Sequence, residues 1–409
     1  MFERSLPEWM RRAPAPGARG FALLAGIEAS VRAMLVSVWP LEMYRAFGDA
    51  GTVSLIYLAV GIVSLCAGLL VPALTRHLPR RWTYTLGVLL YGVANAIALL
   101  GGPFVAVAVG VAMLATVTVF VCFNAYVLDY IARADLGRTE TLRMFYSALA
   151  WTVGPLLGVI LLDLWRPAPF VISTGFALVH LAVFWVMRLG NGKAIARARR
   201  PAPNPMAYLG RFFAQPRLIS GWTFAVMRST GWYVFVVFLP IWAVKAGLGD
   251  KIGGLSMSLA SALMFTTPLM LRWMQARSVR RAVRAGFLGA AVTFALATLL
   301  ADAPWLALAS LMAGALFLLL LDICGGLPFL MAVKPSERTE MAAVYSSYRD
   351  VSGIVSPALA WLVLLAAPLS GVFAAAGLLF GGCWVLAGRL HPRLGVARVT
   401  ARGAVVVKE

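Results

Sequence analysis

Charge is what this chain has least of. Charged residues make up 13% of its 409 positions, about half the share of an ordinary soluble domain, and only 16 residues are Asp or Glu. So few charges cannot clothe the surface of a soluble domain this long, which excludes that class. Histidine is nearly missing: His77, His180 and His391 are scattered along the chain. The four cysteines, Cys66, Cys122, Cys324 and Cys383, lie inside apolar runs and show no metal-ligand spacing. A zinc centre is therefore not expected, and the thiols read as small packing residues. No Gly-x-x-x-x-Gly-Lys-Ser/Thr stretch occurs, so nothing supports direct ATP hydrolysis. No nucleophile–base pair stands out either. The chain reads as a non-enzyme without a cofactor.

What it has in abundance is apolar length. Hydrophobic residues make up 61% of the sequence and the mean hydropathy is +0.85. Runs such as Val53–Leu74, Pro103–Leu128, Leu218–Val244 and Pro304–Val333 hold at most one or two charges each. A bilayer needs about 20 apolar residues per helix, and these runs supply them. Twelve spans are expected, near 20–43, 53–75, 82–101, 103–132, 141–163, 168–188, 218–245, 252–273, 282–301, 303–333, 341–366 and 369–389. The segment Met1–Gly20 holds four arginines and no apolar core, unlike a signal peptide.

A net charge of +20 raises nucleic acid as a partner, and the distribution of the charge argues against it. With twelve spans and an inside N-terminus, 29 of the 36 Lys and Arg fall in inner segments. Only Arg45, Arg166, Lys245 and Lys251 fall outside, and Arg32, Arg228 and Arg349 lie within spans. The positive-inside rule accounts for that split and puts both termini in the cytoplasm. The least apolar stretch, Arg188–Arg217, carries seven basic residues and no acid. It separates an N-terminal unit (1–188) from a C-terminal one (218–409), with 189–217 as a basic linker. Asn204-Pro205 can start a short helix there, placing Tyr208, Leu209, Phe212 and Phe213 at the membrane interface.

The two units carry the same marks. Arg138-Thr139-Glu140 recurs 200 positions on as Arg338-Thr339-Glu340, and Pro40 with Arg45 matches Pro240 with Lys245 at the same offset. Pro72-Ala-Leu-Thr-Arg76 resembles Pro268-Leu-Met-Leu-Arg272, each closing the second span of its unit. These marks indicate a six-helix unit used twice. Twelve spans in two parallel halves, inside termini and a basic central linker resemble the major facilitator superfamily of secondary transporters over essentially the whole length.

The resemblance implies an all-α membrane protein of twelve transmembrane helices in two pseudo-symmetric six-helix bundles. It also implies a multi-pass location in a membrane, expected here to be the bacterial inner membrane, with the lipid bilayer and a small-molecule substrate as partners of a monomer. Local motifs match less fully. The superfamily's loop after span 2 usually reads Gly-x-x-x-Asp-Arg-x-Gly-Arg-Arg, whereas this chain has Pro72-Ala-Leu-Thr-Arg76-His77-Leu-Pro79-Arg80-Arg81. Arg76 stands where the acid would be. The usual latch is thereby altered, although Arg76 and Arg272 can still pair with helix C-termini. Span 5 contains Ala150-Trp-Thr-Val-Gly154-Pro155-Leu-Leu-Gly158-Val159. This looks like the antiporter motif Gly-x-x-x-Gly-Pro-x-x-Gly-Gly with its first and last glycines replaced, so Gly154 and Pro155 are gating candidates through close helix approach. Further gating candidates are Asp129, Arg138, Glu140, Arg338 and Glu340, near the inner surface.

Charges in mid-bilayer cost roughly 2.5–3.5 kcal/mol each on insertion scales, so they need a reason. Arg32 lies deep in span 1, Arg228 in span 7 and Asp322 in span 10, while Arg349 and Asp350 sit in the inner half of span 11. In the superfamily spans 1, 4, 7 and 10 line the cavity, which makes Arg32, Arg228 and Asn124 substrate-binding candidates. Trp39, Tyr146, Trp151, Trp232 and Tyr233 are candidates for an aromatic wall. Arg32 either pairs with Glu28 at i,i+4 or meets a ligand. Arg228 has no acid within a turn, so it either reaches Asp322 or awaits an anion. Glu28, Asp322, Arg349 and Asp350 are the proton-coupling or ion-pair candidates. Glu42 and Asp49 can form an outer gate with Arg45 or Lys245. The reading is a secondary transporter of a small organic solute bearing an anionic group, coupled to protons through Asp322 or Glu28 and working by alternating access. The alternative is a transporter-like membrane protein that serves in binding or assembly without transport.

Overall fold

The structure is a computed structural model that describes residues 17–131, 136–187, 209–333, 341 and 344–391. Helices account for its regular structure and no strand occurs among the described residues. Span 1 is Ala18–Phe47, span 2 Ala50–His77, span 3 Arg80–Leu100, span 4 Phe104–Tyr130, span 5 Leu136–Leu164 and span 6 Ala168–Val186. Span 7 is Pro216–Lys245, span 8 Lys251–Gln275, span 9 Val279–Leu299, span 10 Pro304–Phe329, span 11 Tyr348–Leu364 and span 12 Ser370–Ala387. Eleven of these are long and apolar enough to cross a membrane. The exception to the expected twelve is span 11, whose continuous helix has only 17 residues because a turn at Ser347 separates it from Val344–Ser346.

Short connections force neighbouring spans antiparallel. Spans 1 and 2 are joined through Gly48, held left-handed at φ 68°, and Asp49. The Asp49 carboxylate accepts hydrogen bonds from the Thr52 backbone N–H (2.7 Å) and hydroxyl (2.8 Å). Those bonds cap span 2 and hold the Asp49 carboxyl below its usual range. The outer gate expected of Asp49 is therefore not what its side chain makes here.

Packing repeats between the halves. Span 3 packs on spans 4 and 6, and span 1 on spans 5 and 6. Their counterparts do the same: span 9 on spans 10 and 12, and span 7 on spans 11 and 12. The extensive contacts across the halves are span 2 with span 11 and span 5 with span 8. Shifting each number by six exchanges those two pairs, as a pseudo-two-fold axis requires. Large apolar side chains such as Leu69, Leu70, Phe145, Leu149, Leu299 and Leu378 stand on the outside, where lipid tails solvate them at no cost.

Span 1 is broken. Its helix stops at Ala33 and restarts at Val38, with turns between. Pro40 explains the break, because it has no N–H and its ring excludes the carbonyl four residues back, that of Val36. Span 5 comes close against the gap. A Cβ on Gly154 would stand 2.8 Å from the Ala33 Cβ, and one on Gly158 only 1.8 Å from the Met34 carbonyl oxygen. The glycines of the antiporter-like motif are thus what lets two backbones touch.

The short helix Leu209–Phe213 corrects one expectation. Phe212 does not rest at an interface. It is fully buried against Phe329, with ring centroids 6.3 Å apart, in a cluster with Leu218, Met341 and Val344. Phe213 is exposed. The linker residues 188–208, and Arg338 and Glu340 of the repeated motif, lie outside the described residues.

Candidate functional site

A cavity of about 340 Å³ lies at the junction of spans 1, 2, 3, 4, 5 and 7. Six rings from both halves face it: Trp39, Tyr57, Tyr91, Trp151, Trp232 and Tyr233. Tyr57 and Tyr233 meet edge to face across the halves at 6.1 Å. Arg32, Asn95, Thr116 and Ser229 supply the polar groups.

Arg32 lies at mid-span and is already engaged. Its Nε donates to Glu28 Oε1 at 2.6 Å and its Nη2 to Glu28 Oε2 at 2.9 Å, the bidentate geometry that i,i+4 spacing permits. The guanidinium also lies 5.3 Å over the Trp151 ring. Span 3 then reaches in. Tyr91 Oη is 3.0 Å from Glu28 Oε1 and 3.1 Å from Thr116 Oγ1, which itself donates to the Ala112 carbonyl. Four residues further along span 3, Asn95 donates to Ser173 and Thr174, and Ser173 donates to the Val31 carbonyl beside Arg32.

Neither Tyr91, Asn95 nor Thr116 was singled out by the sequence reading. The signal was a spacing: Tyr84, Tyr91 and Asn95 repeat at seven and four positions on span 3, which is one helix face. All three are buried, and Tyr84 is 2.5 Å from His180 Nε2 of span 6.

Two other deep charges, Arg228 and Asp322, pair with each other at 3.1 Å, Asp322 being the partner offered as Arg228's alternative to a ligand. Asp322 accepts a hydrogen bond from Trp232 Nε1 at 2.8 Å, and the Arg228 guanidinium lies 5.2 Å over the Tyr348 ring. Trp232 and Tyr233 line the cavity, whereas Arg228, Asp322, Asn124 and Tyr146 are not among its lining residues. Span 4 presents Thr116 there instead.

A second cavity of about 230 Å³ adjoins the first, between spans 2, 4, 7 and 11. The two share Tyr57, Met113, Ser229 and Tyr233. Arg349 and Asp350, successive residues of span 11, both line it.

At the end where spans 1 and 2 meet, the halves are clasped. Glu42 is 4% exposed and holds Arg45 Nη1 at 3.1 Å and Arg166 Nη2 at 2.8 Å. Arg45 continues to Asp250 of the other half, and Lys251 pairs with Asp163 at 2.9 Å. Arg45 thus takes Glu42 and Asp250, and Asp49 is left to its cap. Glu42→Gln is expected to cost about 2 kcal/mol, since a buried carboxylate with charged donors is lost. Asp163→Asn, at an exposed pair, is expected to cost less. Thermal unfolding of the two variants would rank them.

At the opposite end, Asp129 pairs with Arg80, and Glu140 with Arg143 at 2.8 Å; both pairs stay within the first half. Arg272 is exposed at the end of span 8, while the side chains of Arg76 and Arg138 are outside the described set. Pro155 sits where span 5 meets span 8. A Cβ on Gly254 would stand 2.7 Å from the Pro155 carbonyl, and the next N–H, of Leu156, donates to Ser258 Oγ at 3.0 Å. The glycine–proline motif therefore contacts spans 1 and 8 at once. Among the described residues no cluster of His, Cys, Asp and Glu could hold a metal ion.

Comparison with solved structures returns the same architecture. A nucleoside transporter, NupG, overlays with TM-score 0.66 at 11% identity, covering 91% of this chain and 97% of its own. A point mutant of that transporter gives 0.66 at 13%, covering 91% and 98%. A bacterial homologue of the iron transporter ferroportin in an inward-facing state overlays with TM-score 0.68 at 15% identity, covering 91% and 99%. At such identities the likeness establishes the fold alone. Sequence comparison with curated proteins finds no match. The profile of the Major Facilitator Superfamily matches residues 21–357. That match takes in both halves and every cavity-lining residue, and the chain belongs to the Major Facilitator Superfamily.

Proposed function

We propose that the protein is a secondary active transporter for a small organic solute with an anionic group, coupled to protons and working by alternating access. The support comes from one arrangement: Arg32 faces the cavity while Nε and Nη2 of its guanidinium are held by Glu28. An incoming carboxylate competes with Glu28 for the same donors. Protonating Glu28 releases them, so anion and proton favour each other's binding, and by linkage the coupling is reciprocal.

The surroundings accommodate both forms without moving a heavy atom. When Glu28 is ionised, Tyr91 Oη donates to it. When Glu28 carries a proton, that proton can be donated to Tyr91 Oη, whose own hydrogen turns to Thr116 Oγ1 at 3.1 Å. This favours Glu28 over Asp322 as the proton carrier, because the partners of Asp322, Arg228 and Trp232, only donate and could not accept the proton of a neutral Asp322. The clasp of Glu42, Arg45 and Asp250 closes one end of the path in this conformation. The end bearing Arg80 and Asp129 is the cytoplasmic one by the positive-inside rule. The halves 1–188 and 218–409 rock about the cavity, tethered by 189–217, in a chain that acts as a monomer in the bacterial inner membrane.

The test is uptake of a panel of radiolabelled organic anions into proteoliposomes under an imposed pH gradient. The wild type is expected to accumulate its solute only with the gradient. Glu28→Gln is expected to lose that accumulation while retaining exchange of solute for solute. Accumulation indifferent to the gradient would overturn proton coupling. Absence of any flux would favour the binding or assembly alternative.

A further inference from the structure

We propose that the adjoining cavity is a second solute station, built for a dipolar group that carries an ammonium and a carboxylate together. This deepens the transport reading and rests on it, since it takes the joined cavities as the solute's path.

The charge balance along that path is the starting point. Arg32 is neutralised by Glu28 and Arg228 by Asp322. Arg349 and Asp350 are different. Among the described residues Asp350 makes no hydrogen bond or ion pair, and Arg349 meets no carboxylate within salt-bridge distance. The Arg349 guanidinium donates from Nε to Tyr348 Oη at 3.1 Å and lies 5.5 Å over the Phe120 ring of the other half. Both side chains line the 230 Å³ cavity. A cation and an anion on successive residues, both exposed and neither in a salt bridge, line one open space.

Coulomb's law then selects the ligand. A simple anion drawn to Arg349 is repelled by Asp350 one residue away, and a simple cation meets the reverse. Neither gains much from the site, whereas a zwitterion satisfies both, so specificity includes a repulsive element against each singly charged analogue. Ser64, Ser229 and Ser352, from spans 2, 7 and 11, add hydroxyls to the lining, with Ser352 Oγ 2.7 Å from Ser229 Oγ. The floor is set by a close backbone crossing, where a Cβ on Gly61 would stand 2.5 Å from the Gly353 carbonyl.

The solute's remaining body has one direction to extend. Tyr57 and Tyr233 belong to both cavities, so a ring attached to the dipolar head would lie against them and point toward the aromatic cavity and Arg32. Ring contacts of this kind favour an aromatic body over an aliphatic one of the same size.

Three probes that share a ring and differ in charge test the proposal: L-phenylalanine, 3-phenylpropanoate and 2-phenylethylamine, measured by equilibrium binding to the purified full-length protein. The wild type is expected to bind L-phenylalanine at least about tenfold more tightly than either analogue, the ratio that one well-placed charged contact gives. Asp350→Asn is expected to bring 3-phenylpropanoate level with it, and Arg349→Gln to do the same for 2-phenylethylamine. Equal binding of L-phenylalanine and 3-phenylpropanoate by the wild type overturns the station, and needs no variant to fold. So does a preference for the zwitterion that survives both substitutions. If 3-phenylpropanoate binds and Arg32→Gln abolishes it without any zwitterion advantage, the transport reading stands and this inference falls. If no probe binds, this inference falls, and the transport reading is decided by the flux panel alone.

Discussion

Gly158→Ala is expected to give the largest loss of stability of any single methyl added to this protein, about 3 kcal/mol. The added Cβ would stand 1.8 Å from the Met34 carbonyl oxygen and 3.3 Å from a Val38 methyl. Backbone cannot yield as the end of a flexible side chain can, and the carbonyl belongs to the broken stretch of span 1, so the clash forces spans 1 and 5 apart. Gly175→Ala is the control. A Cβ there meets nothing within 4 Å, and the change is expected to be neutral or stabilising by about 0.5–1 kcal/mol, as alanine is favoured over glycine inside a helix. Thermal unfolding of both variants in one detergent checks the pair. A Gly158→Ala protein that melts with the wild type would show that span 5 does not approach the span 1 break.

The second large effect concerns the Glu28–Arg32 pair. Arg32→Gln leaves a half-buried carboxylate with only Tyr91 for a partner, and the cost is expected to be about 2 kcal/mol, below that of breaking a fully buried pair. The double variant Glu28→Gln with Arg32→Gln is expected to recover most of that, because two neutral amides can hydrogen-bond where two charges had to be matched. A double-mutant cycle on unfolding midpoints therefore shows strong non-additivity. Additive losses would mean that the two side chains do not interact. The same variants separate stability from transport. The double variant is expected to fold and yet to lose anion accumulation, since nothing remains to carry either the proton or the solute's charge.

Much of the architecture was legible before any coordinates. The apolar runs, the 200-residue offset between Pro40 and Pro240 and between Arg45 and Lys245, and the basic connection mark two related six-helix units. Arg45 and Lys245 do end their helices alike. The Glu28–Arg32 pair was also legible, because residues four apart on a helix are neighbours whatever the rest of the protein does. Arg228 was half legible: its lack of a partner on its own helix was evident, while the choice between Asp322 and a ligand was not.

What stayed hidden depends on register between helices. Tyr91 and Thr116 become part of the Glu28 site only because span 3 packs on span 4 at one particular rotation. The spacing of Tyr84, Tyr91 and Asn95 marks a polar face of span 3, but neither run alone says that a carboxylate stands opposite it. The clasp of Arg45 with Asp250, and of Lys251 with Asp163, joins residues far apart in the chain and in different halves. Arg349 and Asp350 are successive residues of span 11 and leave the helix in different directions, yet both reach one cavity, because that cavity lies between those directions and the long Arg349 side chain can bend into it.

The amino-acid sequence by itself determined that this chain is an all-helical, multi-span membrane protein of repeated halves, because hydropathy, local spacing and the placement of basic residues act within single helices and loops. It also determined the one ion pair that a single helix can make at mid-span. Only the tertiary structure decided which rings and hydroxyls surround that pair, which carboxylate Arg228 takes, how Gly158 admits the broken span 1, and that Asp350 stands in no salt bridge among the described residues. Those outcomes depend on helix tilt, rotation and contact between halves, which are set by packing against distant parts of the chain.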